Sequence, residues 1–149
     1  MPDPRDPITG EFLSPGPIRL SEHQKRIIDE ALSRGGDGKL KYSLVIYSAP
    51  KKSGKSALAS AVAMYMAYSR PYSQVYCLAN DKEQSSDRIY VPIKTCFKLH
   101  NNLNGPFKGE NPNKTEVFLS NGTRIKALPC DAVGEAGSQP LLGVVSEAW

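Results

Sequence analysis

The sequence is short of the residues that build covalent or metal scaffolds. Three cysteines occur in 149 residues, Cys77, Cys96 and Cys130, with neither an even count nor CxxC spacing. That argues against a disulfide framework and a zinc site, and makes a reducing cytoplasm the expected setting. Two histidines, His23 and His100, lie too far apart to sketch a metal centre. Long apolar runs are missing too. The longest, Ala57 to Tyr68, is broken by Ser60 and falls short of the ~20 residues a spanning helix needs. The first fifteen residues, MPDPRDPITGEFLSP, have no apolar core and do not read as a secretory signal. No membrane partner is expected, and the Asn-x-Thr sequons at Asn113 and Asn121 read as chance. Neither sign of charge dominates: 19 Lys plus Arg against 15 Asp plus Glu leave +4, interspersed along the chain. Such a balance permits a phosphate or nucleic-acid partner without demanding one.

What is present fits one folded domain, with 40% hydrophobic and 23% charged residues. Residues 1–18 carry five prolines and no periodicity, which predicts an extended or disordered leader. Ser21 and Gln24 have capping-box spacing, and Ile27, Ile28, Ala31 and Leu32 then predict a helix over 22–33. Gly35, Gly36 and Gly38 end it in a loop. Tyr42–Ser48 (YSLVIYS) reads as a buried strand, 55–69 as a helix apolar on all sides, and Gln74–Ala79 as a second buried strand. A further helix is expected from Asp81 to about His100, with a kink or interruption at Pro92. Residues 115–119 and 123–128 flank Asn121-Gly122, a strong hairpin signal, and Leu141–Val145 closes the series as another strand. Strands alternating with helices predict an α/β layered domain with a mainly parallel central sheet.

Between the first strand and the second helix lies Ala49-Pro50-Lys51-Lys52-Ser53-Gly54-Lys55-Ser56, which matches GxxxxGK[ST] except that Ala49 replaces the first Gly. A loop between strand and helix is the context in which that pattern cradles phosphate. Backbone N–H groups of Lys52, Ser53, Gly54, Lys55 and Ser56 would form a concave nest at a helix N-terminus, with Ala57 next in the first turn. Lys55 would reach the β- and γ-phosphates of ATP, and the Ser56 hydroxyl would hold Mg²⁺. The alternative is a lysine-rich turn with a chance GKS.

Such a site needs acidic chemistry from a neighbouring strand. Leu141–Glu147 (LLGVVSE) has the shape of that motif, with Ser146 at the usual Asp position and Glu147 as candidate general base. Ser146 could position a magnesium-bound water but supplies no charge. A strand that happens to end in Ser-Glu is the plainer account.

In order along the chain, Leu20–Gln24, Ser48–Ser56, Asp81–Gln84, Leu119–Leu128, Asp131–Pro140 and Ser146–Trp149 resemble the N-terminal ATPase domain of the tailed-phage terminase large subunit. The resemblance covers roughly residues 19–149. It implies a P-loop NTPase three-layer sandwich of the additional-strand type, incomplete at its C-terminal side. It also implies ATP hydrolysis that drives double-stranded DNA into a capsid, by a homo-oligomeric ring on the portal with a small terminase subunit. On the same basis Gln24 would read adenine, and Lys51, with Lys52 an adjacent candidate, would be the cis-acting basic residue that reaches the γ-phosphate. Plain solvation of two exposed lysines is the alternative for that pair, and capping alone for Gln24.

The sequence departs from the family at Ser146, and no Lys or Arg follows Lys126 that could act in trans on a neighbouring subunit; Arg88 and Arg124 are the remaining candidates, with plain surface charge the alternative for both. The family's coupling motif and C-terminal nuclease domain would follow Trp149, so a partial domain is expected. Lys108, Lys114, Arg124 and Lys126 cluster around the hairpin and could touch DNA, although a solvated face is the blander reading. A helicase-like or kinase-like P-loop protein, and a nucleotide-binding module without turnover, stay open.

Overall fold

Residues 20–79, 86–102, 112–129 and 139–145 are described by the computed structural model. The expectations for the leader, for Asp81–Gln84, for most of 131–140 and for Ser146–Trp149 lie outside them. The chain divides into two compact units, Met1–Val45 and Ile46–Trp149.

In the first unit, helix α1 spans Glu22–Ala31. Its capping box forms as the sequence indicates: Gln24 N donates to Ser21 Oγ at 3.3 Å, and Ser21 N donates to Gln24 Oε1 at 2.9 Å. None of its residues is buried. After α1 the chain doubles back through a tight turn, with Gly38 at φ 76° and a single bridge between Arg34 and Leu40.

The second unit holds helix α2 (Lys55–Ser69), strand β1 (Gln74–Ala79), a π-helical turn (Ser86–Tyr90) running into α3 (Val91–Asn102), then β2 (Glu116–Phe118), β3 (Arg124–Pro129) and β4 (Leu142–Val145). The four strands form one sheet in the order β2-β3-β1-β4. β1 pairs in parallel with β3 and with β4, while β2 and β3 are antiparallel. The fold is therefore α/β with a mixed, mostly parallel sheet.

Strand periodicity sorts the side chains. Val75, Cys77, Val117, Ile125 and Ala127 share one face, buried with Ala63 and Ala67 of α2 and Ile93 and Phe97 of α3. Ile89 and Tyr90 of the π-helical turn complete this core. Pro92 lies just past that turn; the wider turn leaves room for a ring that would otherwise meet the carbonyl four residues back. The interruption expected there is thus a change of helix type rather than a break.

The hairpin is of the three-residue kind. Gly122 N donates to Leu119 O at 2.9 Å and Leu119 N to Thr123 O at 2.8 Å, with Gly122 left-handed at φ 81°. A Cβ on Gly122 would lie 2.5 Å from the Tyr72 ring, so both conformation and contact favour glycine.

One expectation fails. Tyr42–Ser48 forms no strand: the run carries no ladder pairing, and Leu44 and Ile46 are 75% and 73% exposed. Strand propensity is conditional on a neighbour, and no described strand stands beside this run. Nor is α2 covered on every side, since Tyr65 is exposed while Leu58, Ser60, Ala63, Met66 and Ala67 are buried.

Candidate functional site

Seven of the residues singled out by sequence fall on one continuous piece of chain, the loop 49–54 and the first turn of α2. Ser53 N donates to Pro50 O at 3.3 Å, closing a turn over Pro50–Ser53. Within it Lys52 is left-handed at φ 64°, and Gly54, the N-cap of α2, is left-handed at φ 81°. The two left-handed residues, with Ser53 between them, curl the loop, and the Ser53 amide expected in the phosphate nest is engaged by Pro50 O. Gly54 offers no side-chain acceptor, and the first helical bond is Leu58 N to Gly54 O at 2.9 Å. The N–H groups of Lys55, Ser56 and Ala57 thus have no intrahelical partner, at the positive end of the helix dipole.

Charge adds to this. Lys51 and Lys52 are exposed and Lys55 half-buried, and no described carboxylate pairs with any of the three. Lys55 does not extend into solvent: its Nζ donates to Ala49 O and, at 3.0 Å, to Pro50 O. Ser56 is exposed at the second position of α2.

The link Arg70–Ser73 is short, so α2, packed on β1, runs back along it. Lys55 therefore lies toward the carboxyl ends of β1 and β4, the end of a parallel sheet where α/β proteins bind ligands. Ser146 and Glu147 follow Val145, the last residue of β4, but lie outside the described residues. Gln24 belongs to the other compact unit, where its amide oxygen serves the capping box.

Arg124, a candidate trans-acting cation, is engaged on the hairpin. Its Nε is 3.6 Å from Glu116 Oε2, and its guanidinium stacks 4.2 Å from the Phe118 ring centroid. Arg88 sits in the π-helical turn. Burial pushes the Cys77 thiol up to about 12, leaving it unreactive packing, and raises Cys96 as well.

Two features escaped the sequence reading. The hydroxyl of Ser60, buried in α2, lies 2.8 Å from Ser56 O and 2.9 Å from Ile89 O and shares its single hydrogen between them, tying the first turn of the helix to the π-helical turn. At the other end of α2, Asn121 Nδ2 donates to Ala67 O at 3.0 Å and Thr123 Oγ1 to Arg70 O at 3.0 Å. A lone serine in an apolar helix, four residues after Ser56, was the only available signal for the first. The second joins positions 54 residues apart and left none.

This is an α/β domain with a lysine-rich, left-handed loop at the head of the helix packed on its sheet. No family model matches the chain, and no curated protein or solved structure matches it.

Proposed function

We propose that the loop 49–57 is a P-loop that binds the phosphates of ATP, and that the chain is the ATPase part of a phage terminase large subunit that drives double-stranded DNA into a capsid. The observation that carries the first half is the conformation of the loop itself. Lys52 and Gly54 are left-handed, three lysines fall within five residues, and Lys55 opens the helix. A left-handed non-glycine residue alone does not single out this loop, since Tyr72 in the link after α2 has φ 55°; it is the pairing of Lys52 with Gly54 directly before a helix opened by Lys55 that supports the reading.

Magnesium would arrive with the nucleotide. The described residues contain no group of three His, Cys, Asp or Glu able to hold a metal, but the exposed Ser56 hydroxyl fits the single protein oxygen that a phosphate-shared magnesium takes from such a loop. Lys55 would meet the β- and γ-phosphates, the loop amides the β-phosphate, and Glu147 would orient the attacking water. Packaging, the ring on the portal and the small-subunit partner rest on the ordered set of sequence motifs.

Lys55→Ala tests the reading. ATP binding, followed by calorimetry, should fall below detection while the far-ultraviolet circular dichroism of the fold is retained. Unchanged affinity ends the P-loop reading. A second reading, binding without turnover, is favoured by Ser146 at the position of the usual Asp. Measuring ATP binding and phosphate release on one preparation separates the two. In a packaging reaction with empty capsids, Lys55→Ala should block DNA uptake if the motor reading holds.

A further inference from the structure

We infer that Asn121-Gly122 is a covalent modification site that the fold keeps shut, so that its deamidation records the opening of the hairpin turn from α2. Asparagine followed by glycine is the dipeptide most prone to this reaction, because no side chain hinders the attacking amide. The Gly122 nitrogen bonds to Asn121 Cγ and gives its hydrogen to Nδ2, the Cγ–Nδ2 bond breaks, and ammonia leaves a cyclic succinimide. Water then opens that ring at either carbonyl, to aspartate or to isoaspartate. Every group that must move is held. Gly122 N donates to Leu119 O at 2.9 Å, so its hydrogen is already engaged. Nδ2 of Asn121 donates to Ala67 O and Oδ1 accepts from Thr123 N, both at 3.0 Å, which pins the carboxamide at both ends and keeps it from turning Cγ toward Gly122 N. The Asn121 main-chain oxygen accepts from Tyr72 N at 3.2 Å, and the Tyr72 ring packs against Gly122, 2.5 Å from where a Cβ would stand.

The reaction therefore has to proceed from an open state, in which the turn has let go of the last carbonyls of α2. Closing again afterwards is not the same event. A carboxylate has no donor for Ala67 O, and it would stand at the negative end of the α2 dipole. Isoaspartate adds a main-chain carbon to a turn whose length is set by two bonds, Gly122 N to Leu119 O and Leu119 N to Thr123 O. The change is one-way: each opening that reacts leaves the end of α2 without its cap. A second Asn-Gly, Asn104-Gly105, lies outside the described residues and supplies an internal comparison of the chemistry.

Peptide mapping by mass spectrometry on the full 149-residue chain tests this, in mildly alkaline buffer with and without guanidinium chloride. In denaturant Asn121 and Asn104 should convert at similar rates, as the shared dipeptide requires. In native buffer Asn121 should convert at least about tenfold more slowly than it does in denaturant, the least that breaking several hydrogen bonds implies. A smaller difference overturns the inference. So does an Asn121 that lags Asn104 as far in denaturant, since local sequence would then be what protects it. Asn121→Asp presents the product directly. At neutral pH its urea midpoint should lie below that of Asn121→Ala, because a carboxylate facing a carbonyl is worse than water there. The gap should close as acid protonates the introduced carboxyl and restores a donor. A midpoint at or above that of Asn121→Ala at neutral pH would mean that the product still caps α2, which overturns the one-way change.

Discussion

Asn121 Nδ2 reaches across from the hairpin turn to donate to Ala67 O at 3.0 Å, a bond from a β-turn to the last turn of the helix that carries the lysine-rich loop. Ala67 O is among the final four carbonyls of α2, which have no intrahelical donor. The same asparagine accepts from Thr123 N at 3.0 Å through Oδ1, and its main-chain oxygen accepts from Tyr72 N at 3.2 Å. The hairpin therefore serves as a C-cap built from a distant part of the chain, and the amide nitrogen a glycan would need at this sequon is already committed.

Asn121→Ala should destabilise the fold by about 1–2 kcal/mol, the cost of one side-chain hydrogen bond together with the acceptor it leaves unsatisfied. Chemical denaturation with urea would read this as a lower midpoint at an unchanged slope. A change below about 0.3 kcal/mol would mean that water replaces the amide at Ala67 O at no cost.

The carboxylate of Glu30 predicts a pH response. The Tyr42 hydroxyl donates to it and the Lys41 ammonium stands 3.5 Å away, and together they hold its pKa below the usual carboxylate value. A depressed folded-state pKa means that the contribution is present at neutral pH and is lost as pH falls through the folded value. Lys41 shifts the other way, raised first by its contact with Tyr42 and then by Glu30, so its share is lost only as pH rises through its folded value. Tyr42→Phe should return the Glu30 titration, followed by carboxyl-carbon NMR, toward the ordinary carboxylate range. A titration that does not move would show that the hydroxyl contributes nothing in solution.

Local chemistry made much of this fold legible. Ser21 and Gln24 announce their own box, Asn121-Gly122 announces its turn, and the alternation of Val75 and Cys77 with their neighbours marks a strand. Each of those signals is settled within a few residues. Tyr42–Ser48 shows where that ends, because a β-rich run of seven residues looks the same with or without a strand beside it. The candidate site divides in the same way. The positions of the loop and helix could be read from GxxxxGK[ST] spacing, whereas the resting bonds of Lys55 depend on how the loop curls, and the Ser60 and Asn121 ties depend on packing.

The exposed run yields its own test. Leu44, Val45 and Ile46 lie in an uncharged, β-prone segment open to solvent, the composition that pairs with other chains. Ile46→Lys should reduce self-association on warming, measured by light scattering, and should change folding stability by no more than about 0.5 kcal/mol, as for other surface positions. A loss above about 2 kcal/mol would instead mark Ile46 as a core residue in solution, and Tyr42–Ser48 as a buried strand after all.

Glu147→Gln separates binding from turnover under the proposed function. Glutamine keeps the shape of the side chain and removes the base, so ATP affinity should persist while steady-state hydrolysis falls by at least about 100-fold. Phosphate release within a few-fold of the wild type would move the base to another residue.

Lys52 distinguishes strain held for a purpose from strain without one. Its φ of 64° is costly for a residue with a Cβ, by about 1–2 kcal/mol, and the cost vanishes for glycine. Glycine also loses more entropy on folding, so Lys52→Gly should gain about 1 kcal/mol or less in stability. Were the lysine only a solvated surface charge, nothing else would change. Should its ammonium help to hold phosphate, as its exposed place beside Lys55 in a loop without described carboxylate partners allows, triphosphate affinity should fall while stability rises. The loss should be about three- to tenfold, the scale of one exposed charge interaction, and smaller at high salt. Lys51→Ala, which removes a charge from an unstrained position, should lower affinity without the gain in stability. Calorimetric titration and thermal melts on the two variants give both quantities. If Lys52→Gly raises stability and leaves affinity untouched at low salt, Lys52 has no part in binding, and the charge that matters in this loop is Lys55 alone.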